Sequence, residues 1–253
     1  MHKYLVFGAA FLSFLAYQGV YAGAARAQSI FSVGPQLGAN AMSCRYVGNP
    51  NVYATPYVSP TYRAGAEVGV QAEVAGAHFA LQPAVRFAQQ GFGVRAAYDE
   101  VVNGGAVSAV TVDVHYRLNY LTVPLHVAYA FRAGGQGWQL FAGGYGSVLL
   151  GGRARFRNSS RTSGFYEAHA ADRAVKAGPE DQNDGNAYFR RYDAGVQAGV
   201  GYRCRGVLVH AGYRLGLANT GVSYPLNTPN YRDGPAYHNR GFLLTAAYLF
   251  RKK

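Results

Sequence analysis

The sequence predicts an all-β chain closed into an eight-stranded antiparallel transmembrane β-barrel of the outer-membrane kind, with short periplasmic turns and long extracellular loops. Three observations predict it. Apolar and polar residues alternate with a period of two over long stretches. Eight such stretches are separated by connections that run long, short, long, short. An export-type leader stands in front of them.

Composition points the same way. The 253 residues include 33 Gly, 21 Tyr and 14 Phe but only 2 Cys, 2 Met and 1 Trp. Charged residues are 14% of the chain, against about 25% in an ordinary soluble domain. This excludes a disulfide scaffold, a coiled coil and an acidic disordered tail. Gly and Tyr also fill helices poorly, which argues against a helical enzyme.

The leader comes first. Met1–Lys3 is a short basic start, Tyr4–Ala16 is apolar, and Ala25-Arg26-Ala27 fits a small-x-small cleavage rule. Residues 1–27 are expected to be a secretory signal peptide, with Ala22 as a second cleavage point, leaving 28–253 as the barrel domain. Beyond Gln28 no apolar run reaches the roughly 20 residues that a membrane-crossing helix needs. Leu121–Phe131 comes nearest, but it is short and holds Pro124 and His126.

The strands follow in order. A first, fainter alternation covers 31–41. In 62–74, Tyr62, Ala64, Ala66, Val68, Val70, Ala72 and Val74 share one face, opposite Arg63, Gly65, Glu67, Gly69, Gln71 and Glu73. Such a pattern is a strand with one apolar side, whereas a helix would scatter it around its circumference. Fainter versions at 78–90, 114–131 and 137–150 supply strands three to five. In 192–203, Tyr192, Ala194, Val196, Ala198, Val200 and Tyr202 oppose Asp193, Gly195, Gln197, Gly199, Gly201 and Arg203. Val207, Val209, Ala211, Tyr213, Leu215 and Leu217 line one side of 207–217, and 240–250 is the last strand. The connections are 43–61, Gly76, 91–108, Ala133–Gln136, 152–189, Cys204–Arg205 and 219–239, the asymmetry of outer-membrane barrels. Closure follows because lipid offers an unpaired strand edge no partner.

A soluble lipocalin-like barrel can carry the same alternation with its apolar face turned inward. Two features favour the membrane. The polar face is small or charged, which suits the narrow interior of eight strands. The apolar face has Tyr at both ends of 62–74 and 192–202, as two interfacial aromatic girdles require.

The chain's last strand carries a resemblance. Phe242, Leu244, Tyr248 and Phe250 fall on one face of Gly241–Phe250, similar to the C-terminal assembly signal of bacterial outer-membrane barrels, although Arg251-Lys252-Lys253 follow. Leu118–Leu125, Asp193–Tyr202 and Gly212–Asn219 resemble the PorT-type outer-membrane β-barrel family of Bacteroidetes. The resemblance implies the fold, the outer membrane, and a link of the namesake to a gliding and secretion apparatus. It implies no catalytic residue.

On this parity the interior receives Arg63, Glu67, Gln71, Glu73, Gln82, Arg86, Gln90, Asp193, Gln197, Arg203, His210 and Arg214. Enclosed carboxylates and guanidiniums should pair and plug the lumen, because an unpaired buried charge is costly. Arg153, Arg155 and Arg157 share the parity of Gln139, Gly143 and Ser147, so they are expected to extend the inward face into a basic outer rim with Arg161. Such a rim could hold lipopolysaccharide phosphates or an acidic partner.

The formal charge of +12 also fits nucleic acid, but export sets that reading aside. The seven histidines show no metal-ligand spacing and no Gly-x-Ser-x-Gly elbow exists, so neither catalytic nor metal residues nor a cofactor are expected. Cys44 and Cys204 fall at opposite ends of the barrel and are expected as free thiols. The functional expectation is a non-enzymatic barrel that displays loops for binding or assembly. Its partners would be outer-membrane lipid, the barrel assembly machinery and other envelope or secretion proteins. A lipid-modifying enzyme, a narrow porin-like channel and a soluble binder are the alternatives.

Overall fold

The period-two faces become strands because alternate side chains meet different surroundings, lipid on one side and a crowded lumen on the other. A computed structural model describes residues 30–47, 57–101, 107–162, 165–179, 184–222 and 236–251. The expected signal peptide, 1–27, lies outside the described residues.

The strands are β1 (Ile30–Val47), β2 (Tyr57–Ala75), β3 (Phe79–Val101), β4 (Val107–Ala130), β5 (Gly137–Thr162), β6 (Phe165–Ala177), β7 (Ala187–Phe189), β8 (Tyr192–Cys204), β9 (Val207–Gly216), β10 (Ala236–Tyr248) and β11 (Phe250–Arg251). Eight of them, β1, β2, β3, β4, β5, β8, β9 and β10, form a ring of antiparallel neighbours that closes where β1 pairs β10. The register there runs from Gln36 opposite Ala247 to Val47 opposite Ala236.

The outward face is the apolar one. Leu37, Val68, Val85, Val123, Leu140, Val196, Leu215 and Leu244 all stand exposed in mid-strand. Aromatic rings bracket them. Phe79 packs on Tyr129 and Trp138 on Tyr202 at the short-turn end, with centroids 5.3 and 5.1 Å apart. At the other end Phe242 lies between Tyr62 and Tyr213, at 6.1 and 5.1 Å. The short turns are tight: Arg205 takes φ 56 in the two-residue β8–β9 turn, a conformation such hairpins demand.

All four of the expected long loops contain strand. Segment 91–108 is largely the outer ends of β3 and β4, paired from Gly91–Arg117 out to Val101–Val107. Segment 152–189 holds the end of β5, the whole of β6, and β7 laid parallel to β6. Outside the membrane a strand no longer needs one apolar face, so the alternation fades while backbone pairing continues. Of the expected loops 43–61 and 219–239, residues 43–47 and 57–61 are the outer ends of β1 and β2 and 236–239 begin β10, while 48–56 and 223–235 lie outside the described residues.

Candidate functional site

The lumen is filled in layers, and the sequence dictates each. At the short-turn end Glu73 pairs with Arg203. Gln82 donates 2.8 Å hydrogen bonds to Glu73 and to Gln139, and Arg203 donates to Ser32 at 3.3 Å. In the middle Glu67 lies 3.3 Å from Arg86 and 3.6 Å from Arg214, with Asn40 donating at 3.3 Å. Gln36 donates to Gln71 at 2.8 Å. The Gln197 amide bridges His126 and Arg214 when its nitrogen faces the imidazole and its oxygen accepts from the guanidinium at 2.6 and 2.9 Å. Above them Asp193 accepts from Asn239 at 2.9 Å and from the Tyr145 hydroxyl at 3.2 Å, while Arg214 lies 4.7 Å over the Tyr145 ring.

Packing rather than pairing holds His210. Its ring lies 4.5 Å from that of Phe141, and Gly199 and Gly212 make the room. A Cβ on either would come within 2.9 or 2.8 Å of the Phe141 ring edge. Glu67, Gln71, Glu73, Arg86, Asp193, Gln197, Arg203, His210 and Arg214 are all at most 4% exposed. Arg63 is the exception and corrects the parity reading. A register shift between Tyr62 and Glu67 takes its guanidinium out of this network to His115 Nδ1, at 2.6 Å.

Sequence reasoning missed the layer above. Phe92, Tyr116, Phe189 and Tyr237 close the outer end of the lumen. Phe92 lies 5.1, 6.0 and 5.5 Å from the other three rings. Leu118, Tyr120, Leu149 and Val175 are buried with them. A signal was present: Phe92 continues the face of Gln82, Arg86 and Gln90, and Tyr116 that of Leu118 and Tyr120.

The expected basic rim also needs correction. β5 and β4 slip by one residue between Asn119 and Tyr120, which leaves Leu150 as an extra residue in a bulge, and Gly151 beside it takes φ 140. One inserted residue exchanges the two faces of a strand. Beyond the bulge Ala154 points into the plug, 1% exposed, while Arg153, Arg155, Arg157 and Arg161 are exposed on the outer wall. Arg155 donates to Asp172 from Nε and Nη2 at 2.7 and 2.9 Å, which holds that carboxyl below the ordinary carboxylate range. Farther out, Lys176, Tyr188 and Asn186 all donate to Asp184, and its carboxyl is lowered in the same sense, chiefly by the lysine.

Phe242, Leu244, Tyr248 and Phe250 all face outward, between 52% and 60% exposed. Cys204 is exposed at a turn and Cys44 is buried in the wall toward the far end, both unbridged. Among the described residues no His, Cys, Asp and Glu side chains group to hold a metal.

A family described as outer membrane protein beta-barrel domain matches residues 26–222. The chain belongs to this family. It is an outer-membrane protein, and its apolar belt is the lipid-facing wall of a transmembrane barrel. Among solved structures it is similar to Ail, the attachment invasion locus protein of Yersinia pestis, crystallised with the heparin analogue sucrose octasulfate. That likeness is 11% identity over 88% of this chain and 99% of that chain, with a TM-score of 0.36. Neisserial surface protein A (NspA) is similar at 13% identity over 86% and 97% of the two chains, with a TM-score of 0.34. No curated protein matches.

Proposed function

We propose that this member of the family is a non-enzymatic, closed-lumen barrel of the PorT type that presents its outer strands and loops as a binding or assembly surface. The observation that carries the reading is the filled interior. Among the described residues ion pairs and amides occupy its lower and middle layers and aromatic rings its mouth, as a narrow eight-stranded barrel filled by side chains requires. The stretches Leu118–Leu125, Asp193–Tyr202 and Gly212–Asn219 support the PorT-type assignment. The outward aromatic face ending at Phe250 is what an assembly machinery would read.

The lumen carboxylates are engaged with guanidiniums or amides, and Ser147 shares a 2.9 Å hydrogen bond with Thr122 rather than with a histidine. These arrangements favour a structural interior over a lipid-modifying enzyme. β3 to β6 run past the apolar belt as a sheet, and rigid scaffolds of this kind commonly display binding segments.

Two measurements test the proposal. Purified protein in planar bilayers should show no steady conductance, and a stable ohmic channel would sink the closed-lumen reading. Envelope proteins cross-linked to the wild type in cells should disappear when residues 159–168 are replaced by Gly-Gly. Identical cross-link patterns would show that the outer sheet is not the binding surface.

A further inference from the structure

We infer that the outer wall of β3, β4 and β5, immediately beyond the apolar belt, binds the phosphate groups of an anionic glycolipid of the outer leaflet. The strand register builds the site. Phe87, Leu121 and Leu150 end the lipid-facing surface, 43%, 41% and 58% exposed. Outward of them comes the polar rung Gln89–Asn119–Gly151, and then Gly91–Arg117–Arg153, Gly93–His115–Arg155 and Arg95–Asp113–Arg157. Arg117 stands four residues beyond Leu121. That is roughly 13 Å along the strand and less in height because barrel strands tilt, which is the level of lipid headgroups.

The bulge at Leu150 is what turns the β5 arginines to this side, and the shift in β2 brings Arg63 to it through His115. The glycines of β3 keep the surface low, so the flanking side chains border a groove of ≈ 430 Å³ lined by Arg63, His115, Arg117, Arg153, Arg157 and Asp172. Two carboxylates serve this wall. Asp113 is engaged by Arg95 and His115, at 3.3 and 3.4 Å, and Asp172 by Arg155. Arg63, Arg117, Arg153 and Arg157 are left without a carboxylate among the described residues.

Guanidiniums gathered this closely repel one another until an anion joins them, and phosphate suits their donor geometry. Continuity with the apolar belt selects a lipid over a soluble anion. Acyl chains can lie along Phe87, Leu121 and Leu150 while the phosphates meet the arginines above.

The test uses the full barrel in detergent micelles, titrated with diphosphorylated lipid A, dephosphorylated lipid A or inorganic phosphate and read by native mass spectrometry. The expected result is about tenfold or more tighter binding of the diphosphorylated lipid, since one charged hydrogen bond alone accounts for such a factor. Arg117→Gln/Arg153→Gln/Arg157→Gln should lose that preference. The corresponding triple lysine variant should keep most of it. A cold-gel mobility shift shows that each variant is folded.

Equal binding of the two lipids by the wild type would overturn the inference, and this arm decides even if the glutamine variant does not fold. So would an unchanged preference in the folded glutamine variant. Inorganic phosphate bound as tightly as the lipid would make this a free-anion site. Failure to bind either lipid, with an acidic envelope protein captured through the same arginines, would overturn the lipid in favour of a protein.

Discussion

Glu67 carries a double duty, because it answers both Arg86 and Arg214 in a place without access to water. Replacing it by Gln leaves two buried guanidiniums facing each other. Breaking a buried pair costs about 3–5 kcal/mol, so Glu67→Gln should lower the stability of the refolded barrel by that order in urea unfolding from lipid vesicles. Asp172→Asn removes an equally well-formed pair on the exposed wall, and should leave the same transition unmoved because water screens it. Asp184 offers a pH handle outside the membrane. Its folded carboxyl titrates below its ordinary value of 3.8, so the contacts it makes are fully present above that pH and are lost as pH falls through the lower folded value. The protection of amides 186–189 relative to their intrinsic exchange should therefore fall on acidification below 3.8, and unchanged protection would show that Asp184 does not anchor this segment.

At the scale of strands, the sequence and the fold agree wherever one residue follows another without interruption. In β2 from Glu67 onward, in β8 and in β9 the inward residues are those the alternation names, since lipid on one side and a narrow lumen on the other leave little choice. The disagreements sit at two register shifts. Alternation counted from Gln139 assigns Arg153 inward, and a single extra residue at Leu150 reverses that. The doublet Leu149-Leu150 followed by Gly151-Gly152 was the sign, because adjacent leucines break the period and a glycine tolerates the bulge. The shift that releases Arg63 has no comparable mark in its residues. The aromatic plug was masked for another reason: Phe92 and Tyr116 continue the inward faces of β3 and β4, but the outer portions of those strands carry no lipid-facing stripe to mark them as strand. Deleting Leu150 should restore simple alternation and drive Arg153, Arg155 and Arg157 against Phe92, Tyr116 and Phe189. The deletion variant should then fail to reach the fast-migrating cold form on gels, whereas Leu150→Ala should reach it.

For the whole molecule, the two cysteines report orientation. Cys204 lies exposed at the end of β8, beside a short turn, and Cys44 is buried toward the opposite end. A membrane-impermeant maleimide should label Cys204 only after the outer membrane is permeabilised, and Cys44 only after unfolding. Labelling of Cys204 on intact cells would invert the topology. The seam between β1 and β10 has a further consequence. Other neighbours in the ring follow one another along the chain, β5 and β8 with β6 and β7 between them, whereas Gln36 meets Ala247 across nearly its entire length. Joining such distant partners exacts the largest loop entropy of any step and must await the arrival of β10. Until then the growing sheet has two unsatisfied edges, each able to recruit a foreign strand. Biogenesis is therefore a race between cyclisation and misassociation, and the outward aromatic stripe of β10 and β11 marks the strand on which that race is decided.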